Sequence, residues 1–473
     1  MTLDARRADR SERTFLLLAA AGLTVATATA TIGPLRSPDA WWNLRAGDYL
    51  LATGRFVGPD PWSRFSTHQF VLTEWLGSVV AALLYRPFGA AALVELRTIG
   101  GVAIAALLYL LTRRVADLPY AVLATLVGLL GFSGSITERP QTLGLVLLLV
   151  SLHLWRSAAL GGRVPSLWRL PLGWVFAMAH GYWTLGVLVG AATGAGLALD
   201  RRSWRTGLSA GLLVAGTVAA AAVTPVGPRL LLTPFQIRSA AAALVSEWQR
   251  ASPTQPLVAI ALALVVLTAA AWLRTGTSWW RVFHLLLALG LALSYARLSA
   301  PAVAITVPLA AEAAQRLKAR RTARTAEASA PTRLELKAMA AGAVLVVLAG
   351  LVAAPASARR PLLTPTALLP AIAAIPSGST VFDDFNVSSW MLHTYPHLQL
   401  VVDTRIEVFA PAYVNGYAAA LDARPGWQSF VAHTGANWAV LRQEVPLAGA
   451  LERAGWATTA SRDGYVVLHR VAP

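Results

Sequence analysis

The chain has 473 residues, 56% hydrophobic and only 13% charged, with mean hydropathy +0.55 and a formal net charge of +17. A soluble globular domain carries about twice that share of charge, and many apolar runs here could each cross a hydrocarbon core about 30 Å thick. Cysteine is absent, which excludes a disulfide framework, a thiolate nucleophile and a Cys-ligated metal.

The N-terminal stretch MTLDARRADRSERTF puts an arginine-rich head before the first apolar run, but no small-residue cleavage site follows a short core. Residues 1–13 are therefore expected in the cytoplasm, and a retained helix over about 14–34 is expected to emerge outside. The next inside marker is Arg113-Arg114, with two apolar stretches before it, near 75–85 and 91–111. If both crossed, every later basic loop would be inverted; if only the second crosses, all of them obey the positive-inside bias. EWLGSVVAALLYRPFG is short and flanked by Glu74 and Arg86-Pro87, so it reads as an interfacial or re-entrant helix. Residues 35–90 become one large external loop.

Further crossings are expected near 91–112, 118–135, 141–157, 166–179, 183–199, 206–224, 256–273, 280–296, 299–315 and 337–356. With the first helix this makes about eleven, a mostly α transmembrane domain over 14–357. The external segments are then 35–90, 135–141, 179–183, 234–252 and 295–300. Arg201-Arg202 and the basic loop 316–336, with KARRTARTAEASAPTR inside it, fall on the cytoplasmic side. Such short basic loops explain the net charge better than a clustered stripe for nucleic acid would. After Pro355 the pattern changes. PSGSTVFDDF, LQLVVDTRIEVF, WAVLRQEV and GYVVLHR read as short buried strands alternating with helical spacing, which predicts a small extracytoplasmic α/β domain over 360–473.

Most of the conspicuous polar residues fall on the expected outer side. Asp39 lies in SPDAWWNLRAGDYL beside Trp41 and Trp42, followed by Arg45. A carboxylate partly desolvated there would suit a general base. The same residues also read as a helix cap within an interfacial aromatic belt. Asp60, between glycine and proline, reads as a turn carboxylate. Glu74 is either a partner of a helix N-terminus or a second acid of the site. Glu138-Arg139-Pro140-Gln141 opens a helix, and the fixed donor fork of Arg139 suits a phosphate. A snorkelling or salt-bridged arginine reads equally well. His180, Glu247, Trp248, Gln249 and Arg297 complete the set, each with a plainer reading as a cap or an interface residue. The eight histidines have no ligand spacing, so no protein-built metal site is expected, and the need for a divalent metal stays open.

On PDAWWNLRAGDYLLATGRFVGPDPWSRFST, TEWLGSVVAALLY, ERPQ, AHGYWTLG, SEWQ and the tail pieces VFDDF, LVVDTRIEVF and RPGWQ, the chain resembles the GT-C superfamily of integral-membrane glycosyltransferases. More narrowly, it resembles an uncharacterised bacterial group within it. The resemblance implies a catalytic aspartate in the first external loop, a polyprenyl-phosphate sugar as donor, and inversion. It makes Asp39 the catalytic candidate with Glu74 beside it. Arg139 becomes a candidate for the donor phosphate. By their placement alone, Arg297, Trp41, Trp42, Arg45, Asp60, Glu138, His180, Glu247 and Trp248 are the further expected substrate contacts. Relatives often carry histidine where this chain has Asn43 and Thr73. The implied partners are membrane lipid, a lipid-linked sugar and an envelope glycan, lipid or protein acceptor, at the outer face of a bacterial cytoplasmic membrane. The alternative is a catalytically degenerate scaffold of the same fold, or a lipid-binding or transport component of envelope assembly.

Overall fold

A computed structural model describes residues 3–233, 244–322 and 327–471. Residues 234–243 of the expected external segment, and 323–326 of the basic loop, lie outside the described residues. In chain order α1 (Leu3–Thr31) and α2 (Asp39–Thr53) precede a short hairpin of β1 (Val57–Gly58) and β2 (Phe70–Val71), then α3 (Trp75–Phe88). There follow α4 (Ala91–Arg113), α5 (Leu118–Phe132), α6 (Pro140–Leu160), α7 (Leu170–Ala179), α8 (Trp183–Asp200) and α9 (Trp204–Ala222). Next come α10 (Pro256–Thr275), α11 (Trp279–Ser294), α12 (Ser299–Thr322) and α13 (Arg333–Ala358). The tail runs α14 (Leu369–Ala373), β3 (Thr380–Asp383), α15 (Phe385–Thr394), β4 (Gln399–Leu400), α16 (Pro411–Leu421) and α17 (Trp427–Thr434). It ends with β5 (Trp438–Arg442), α18 (Pro446–Arg453), β6 (Trp456–Arg462) and β7 (Tyr465–Arg470).

Every expected crossing coincides with a helix. Seven described helices are long and apolar enough to span a bilayer, and α5, the Leu167–Ala179 stretch and α11 are shorter but apolar. The remaining one, α12, keeps its charges to its last turns, from Glu312 to Arg321. The chain is a polytopic helical membrane protein.

Two compact units emerge. The first comprises Met1–Gly33, Ala90–Thr224 and Gln249–Ala358. It is a helix bundle whose outward faces are apolar: Leu345, Leu348 and Val352 of α13 are exposed, whereas Gly342, Val346 and Gly350 on the opposite stripe are buried. A face greasy on the outside has lipid as its solvent. Within it α8 and α11 nearly touch, because a Cβ on Gly196 would lie 2.1 Å from the Trp280 Cα.

The second unit comprises Pro34–Gly89, Pro225–Trp248 and Arg359–Pro473. Its five-stranded mixed sheet has the order β4-β3-β5-β7-β6. Strands β4, β3 and β5 are parallel (Val381 opposite Trp438), and β7 pairs antiparallel with both β5 and β6 (Val440 opposite Val467). One hydrophobic core joins Ala46 and Leu50 of α2 and Phe70 and Leu72 of the hairpin to Phe382, Val401, Ile406, Tyr417 and Leu441. Residues 34–89 thus fold with the α/β tail. The α2 helix ends where Gly54 adopts φ 67° and its N–H bonds to the Leu50 carbonyl at 2.8 Å. At about 1.5 Å per residue, α3 is too short to span, and it exposes Val80, Leu83 and Phe88.

Candidate functional site

In the second unit, Pro38 is the cap of α2 and Asp39 is the first residue inside it, where a carboxylate suits the positive helix end. One turn on, the Asn43 amide donates to the Asp39 carbonyl at 2.9 Å, and its oxygen accepts the Ser78 hydroxyl at 2.9 Å. Asn43 is therefore a buried polar tie between α2 and α3. Trp41 is buried and packs on the His393 ring at 5.6 Å, and half-buried Trp42 lies against the core. Glu74 caps α3, and its carbonyl accepts the Ser78 N–H at 3.3 Å.

Arg45 donates to the Leu392 carbonyl and stacks 5.3 Å above Trp62. Burial, with repulsion from Arg405, pulls its pKa down to about 10. Asp60 is more than a turn carboxylate. It accepts the Ser63 N–H at 2.9 Å and also pairs with Arg405. Arg405 holds Asp403 as well (Nε to Oδ1, 2.9 Å) and stacks 4.5 Å over Trp62. Both side chains of the Asp60–Arg405 pair are fully buried. Asp403, and then Asp60, set Arg405 above its ordinary pKa even though burial alone would lower it. Glu247 and Trp248 lie in a 3-10 turn, Ser246–Trp248, with Trp248 against the unit's core.

Arg405 and Glu407 both stand in the LVVDTRIEVF segment. Glu407 keeps accessible surface. Lost solvation, with repulsion from Asp403 and Asp39, pushes its pKa up to about 7. Asp39 and Glu407 are thus electrostatic neighbours.

In the first unit the ERPQ segment divides its labour. Glu138 forms a fully buried ion pair with Arg97, whose Nε also donates to the Thr31 carbonyl at 2.6 Å. Its carboxylate locks the start of α6 to α4 and the end of α1. Arg139 caps α6 in an extended conformation, with Pro140 in the first turn. Gln141 donates to the Tyr182 hydroxyl at 3.1 Å, and that hydroxyl donates to the Arg297 carbonyl at 3.3 Å. His180 is buried at the end of α7. Its Nδ1 accepts the Tyr182 N–H at 3.1 Å, and the Arg297 guanidinium lies 3.3 Å from Nε2. A neutral ring accepts at one nitrogen only, so the Arg297 contact is a close approach rather than a second bond of that kind. Burial, then the charges of Arg297 and Arg139, hold His180 well below its ordinary pKa. Gly144 makes room for the ring, since a Cβ there would come within 2.6 to 2.9 Å of it.

The first unit thus gathers Arg139, His180 and Arg297, while Glu138 is engaged with Arg97 in the same unit. The second gathers Asp39, Trp41, Trp42, Asn43 and Glu74 around the start of α2 and α3. Among the described residues no three His, Asp or Glu side chains cluster as metal ligands do.

No family profile matches the chain, and no curated protein does. Solved structures do. The apo oligosaccharyltransferase of Archaeoglobus fulgidus superposes with a TM-score of 0.56 at 12% identity, over 91% of this chain and 70% of that one. Apo ArnT of Cupriavidus metallidurans superposes with a TM-score of 0.53 at 15% identity, over 98% of this chain and 99% of that one. At such identities the likeness is one of fold. The chain has the fold of these two structures, a GT-C-like fold.

Proposed function

We propose that this protein is an inverting glycosyltransferase that moves a sugar from a polyprenyl-phosphate donor to an envelope acceptor at the outer face of a bacterial cytoplasmic membrane. The observation that carries the reading is the GT-C-like fold over nearly the whole chain. Asp39 takes the proton of the acceptor hydroxyl as its oxygen attacks the anomeric carbon. The bond from that carbon to the lipid phosphate breaks on the opposite face, and polyprenyl phosphate leaves with the electron pair. Arg139 and Arg297 stabilise the charge that develops on the leaving phosphate, as fixed donors do in a water-poor site. The supporting geometry in the bundle is buried His180, with the Arg297 guanidinium 3.3 Å from its Nε2 and the charge of Arg139 also acting on it. Glu74 and Glu407 are the further carboxyls of the Asp39 neighbourhood, and Trp41 and Trp42 shape its apolar side. The cytoplasmic N-terminus and extracytoplasmic tail belong to the same proposal.

The test is Asp39→Asn in the full-length protein, reconstituted with polyprenyl-phosphate sugars and membrane glycolipid acceptors. Transfer is expected to fall at least a hundredfold while insertion and melting temperature hold. Retained transfer would remove Asp39 as the base. No transfer by either protein across a donor panel would favour the degenerate-scaffold reading.

A further inference from the structure

At the other end of the first unit, where α4 ends in Arg113 and the turn after α8 carries Arg201 and Arg202, three guanidinium groups surround one carboxylate. Glu312 of α12 accepts from Arg281 Nε at 3.0 Å and from its terminal nitrogen at 2.6 Å, and from Arg316 at 2.7 Å. Arg156, near the end of α6, approaches only to 3.7 Å. Its residue exposure is 2%, and both of its terminal nitrogens are buried without a hydrogen-bond partner among the described residues. Trp280 carries Arg281 on its ring at 4.4 Å and Arg156 at 5.3 Å. Asp200, the acid at the end of α8, is occupied in capping the Trp279 and Trp280 N–H groups at 2.7 and 3.2 Å.

One carboxylate therefore answers three cations, and the four terminal N–H donors of buried Arg156 have no hydrogen-bond acceptor among the described residues. Leaving such donors unmet in a buried site is unfavourable. Tetrahedral oxyanions meet a guanidinium fork with paired oxygens. Basic pockets between membrane helices at a cytoplasmic boundary suit anionic head groups.

We propose that the first unit binds a phosphate group between Arg156, Arg281 and Arg316, at the end of the bundle that carries its basic loops. The phosphate oxygens complete Arg156. Arg316, the most exposed of the three, forms the entrance. The site is independent of the transfer reaction proposed above and lies at the opposite end of α6 from Arg139. Its ligand is either a soluble phosphate compound or a lipid head group, and the two sources are separable.

The test follows the melting temperature of the full-length protein, and phosphate binding, for wild type, Arg156→Leu and Arg316→Gln. Inorganic phosphate is titrated in neutral detergent; in parallel, nanodiscs of phosphatidylcholine are compared with nanodiscs containing phosphatidylglycerol. Stabilisation of wild type by inorganic phosphate assigns a soluble ligand, and stabilisation by phosphatidylglycerol alone assigns a head group. In either case Arg156→Leu is expected to weaken binding at least tenfold and Arg316→Gln several-fold. No response of wild type to either probe, or an equal response of all three proteins, overturns the site. If Arg156→Leu does not fold, unchanged affinity in Arg316→Gln overturns it.

Discussion

Replacing Arg405 by methionine tests whether the segment after α2 is held by charge or by packing. The guanidinium is fully buried between Asp60 and Asp403 and stacked on Trp62, so its loss leaves two carboxylates in a low-dielectric site. Breaking a buried pair from one side typically costs about 3–5 kcal/mol, because the remaining charge is uncompensated. For a unit of this size about 1 kcal/mol moves a melting temperature by roughly 2–4 °C, so Arg405→Met should lower it by about 6–20 °C. The assay is thermal unfolding of the purified protein in detergent, read by Trp fluorescence, for Arg405→Met, Asp60→Asn and the double variant. Because the sites touch, the double variant should lose less than the sum of the singles. A loss below about 1 kcal/mol for Arg405→Met, the range of exposed pairs, would refute the reasoning. Asp60→Asn also separates two roles: a stability loss with unchanged donor KM fits the ion pair, and the converse would make Asp60 a substrate contact.

Glu138→Gln should destabilise the bundle by about 3–5 kcal/mol, by stranding buried Arg97; unchanged thermal unfolding would count against the pairing. Gly144→Ala should cost about 1–3 kcal/mol by pressing on the His180 ring, and a Tyr182→Phe background should leave that cost in place. His180 is neutral when folded, whereas the unfolded chain protonates it below about pH 6.5. The unfolded state then binds more protons, so stability should fall as pH drops from about 6.5 towards 5, and His180→Gln should flatten that slope. An unchanged slope would place the pH dependence elsewhere.

The eleven described α-helices of the first unit were legible because they rest on long-wavelength signals. Hydrophobic run length is set by bilayer thickness, and arginine placement by orientation. The α/β tail was legible for a similar reason: its buried strands β3, β5 and β7 are continuous apolar runs. Strand β6, WATTASR, escaped notice because it lies at the sheet edge with one polar, solvated side, so neither period stands out.

Residue roles were less accessible, because a polar residue near a membrane boundary has the same letter whether it binds a ligand or a neighbour. Glu138 and Arg139 are adjacent in sequence, yet Arg97, 41 residues earlier, engages the first, while the second reaches the surroundings of His180. Asp60 reads as a turn residue, and only folding brings Arg405 onto it from 345 residues away. The same holds for Asn43 on Ser78 and for Arg156, Arg281 and Arg316 around Glu312. Apolar run length, a local and additive property, already marks the segments that form the bundle's helices. Which charges are neutralised follows from the fold, since a buried charge depends on a partner that helix packing must deliver.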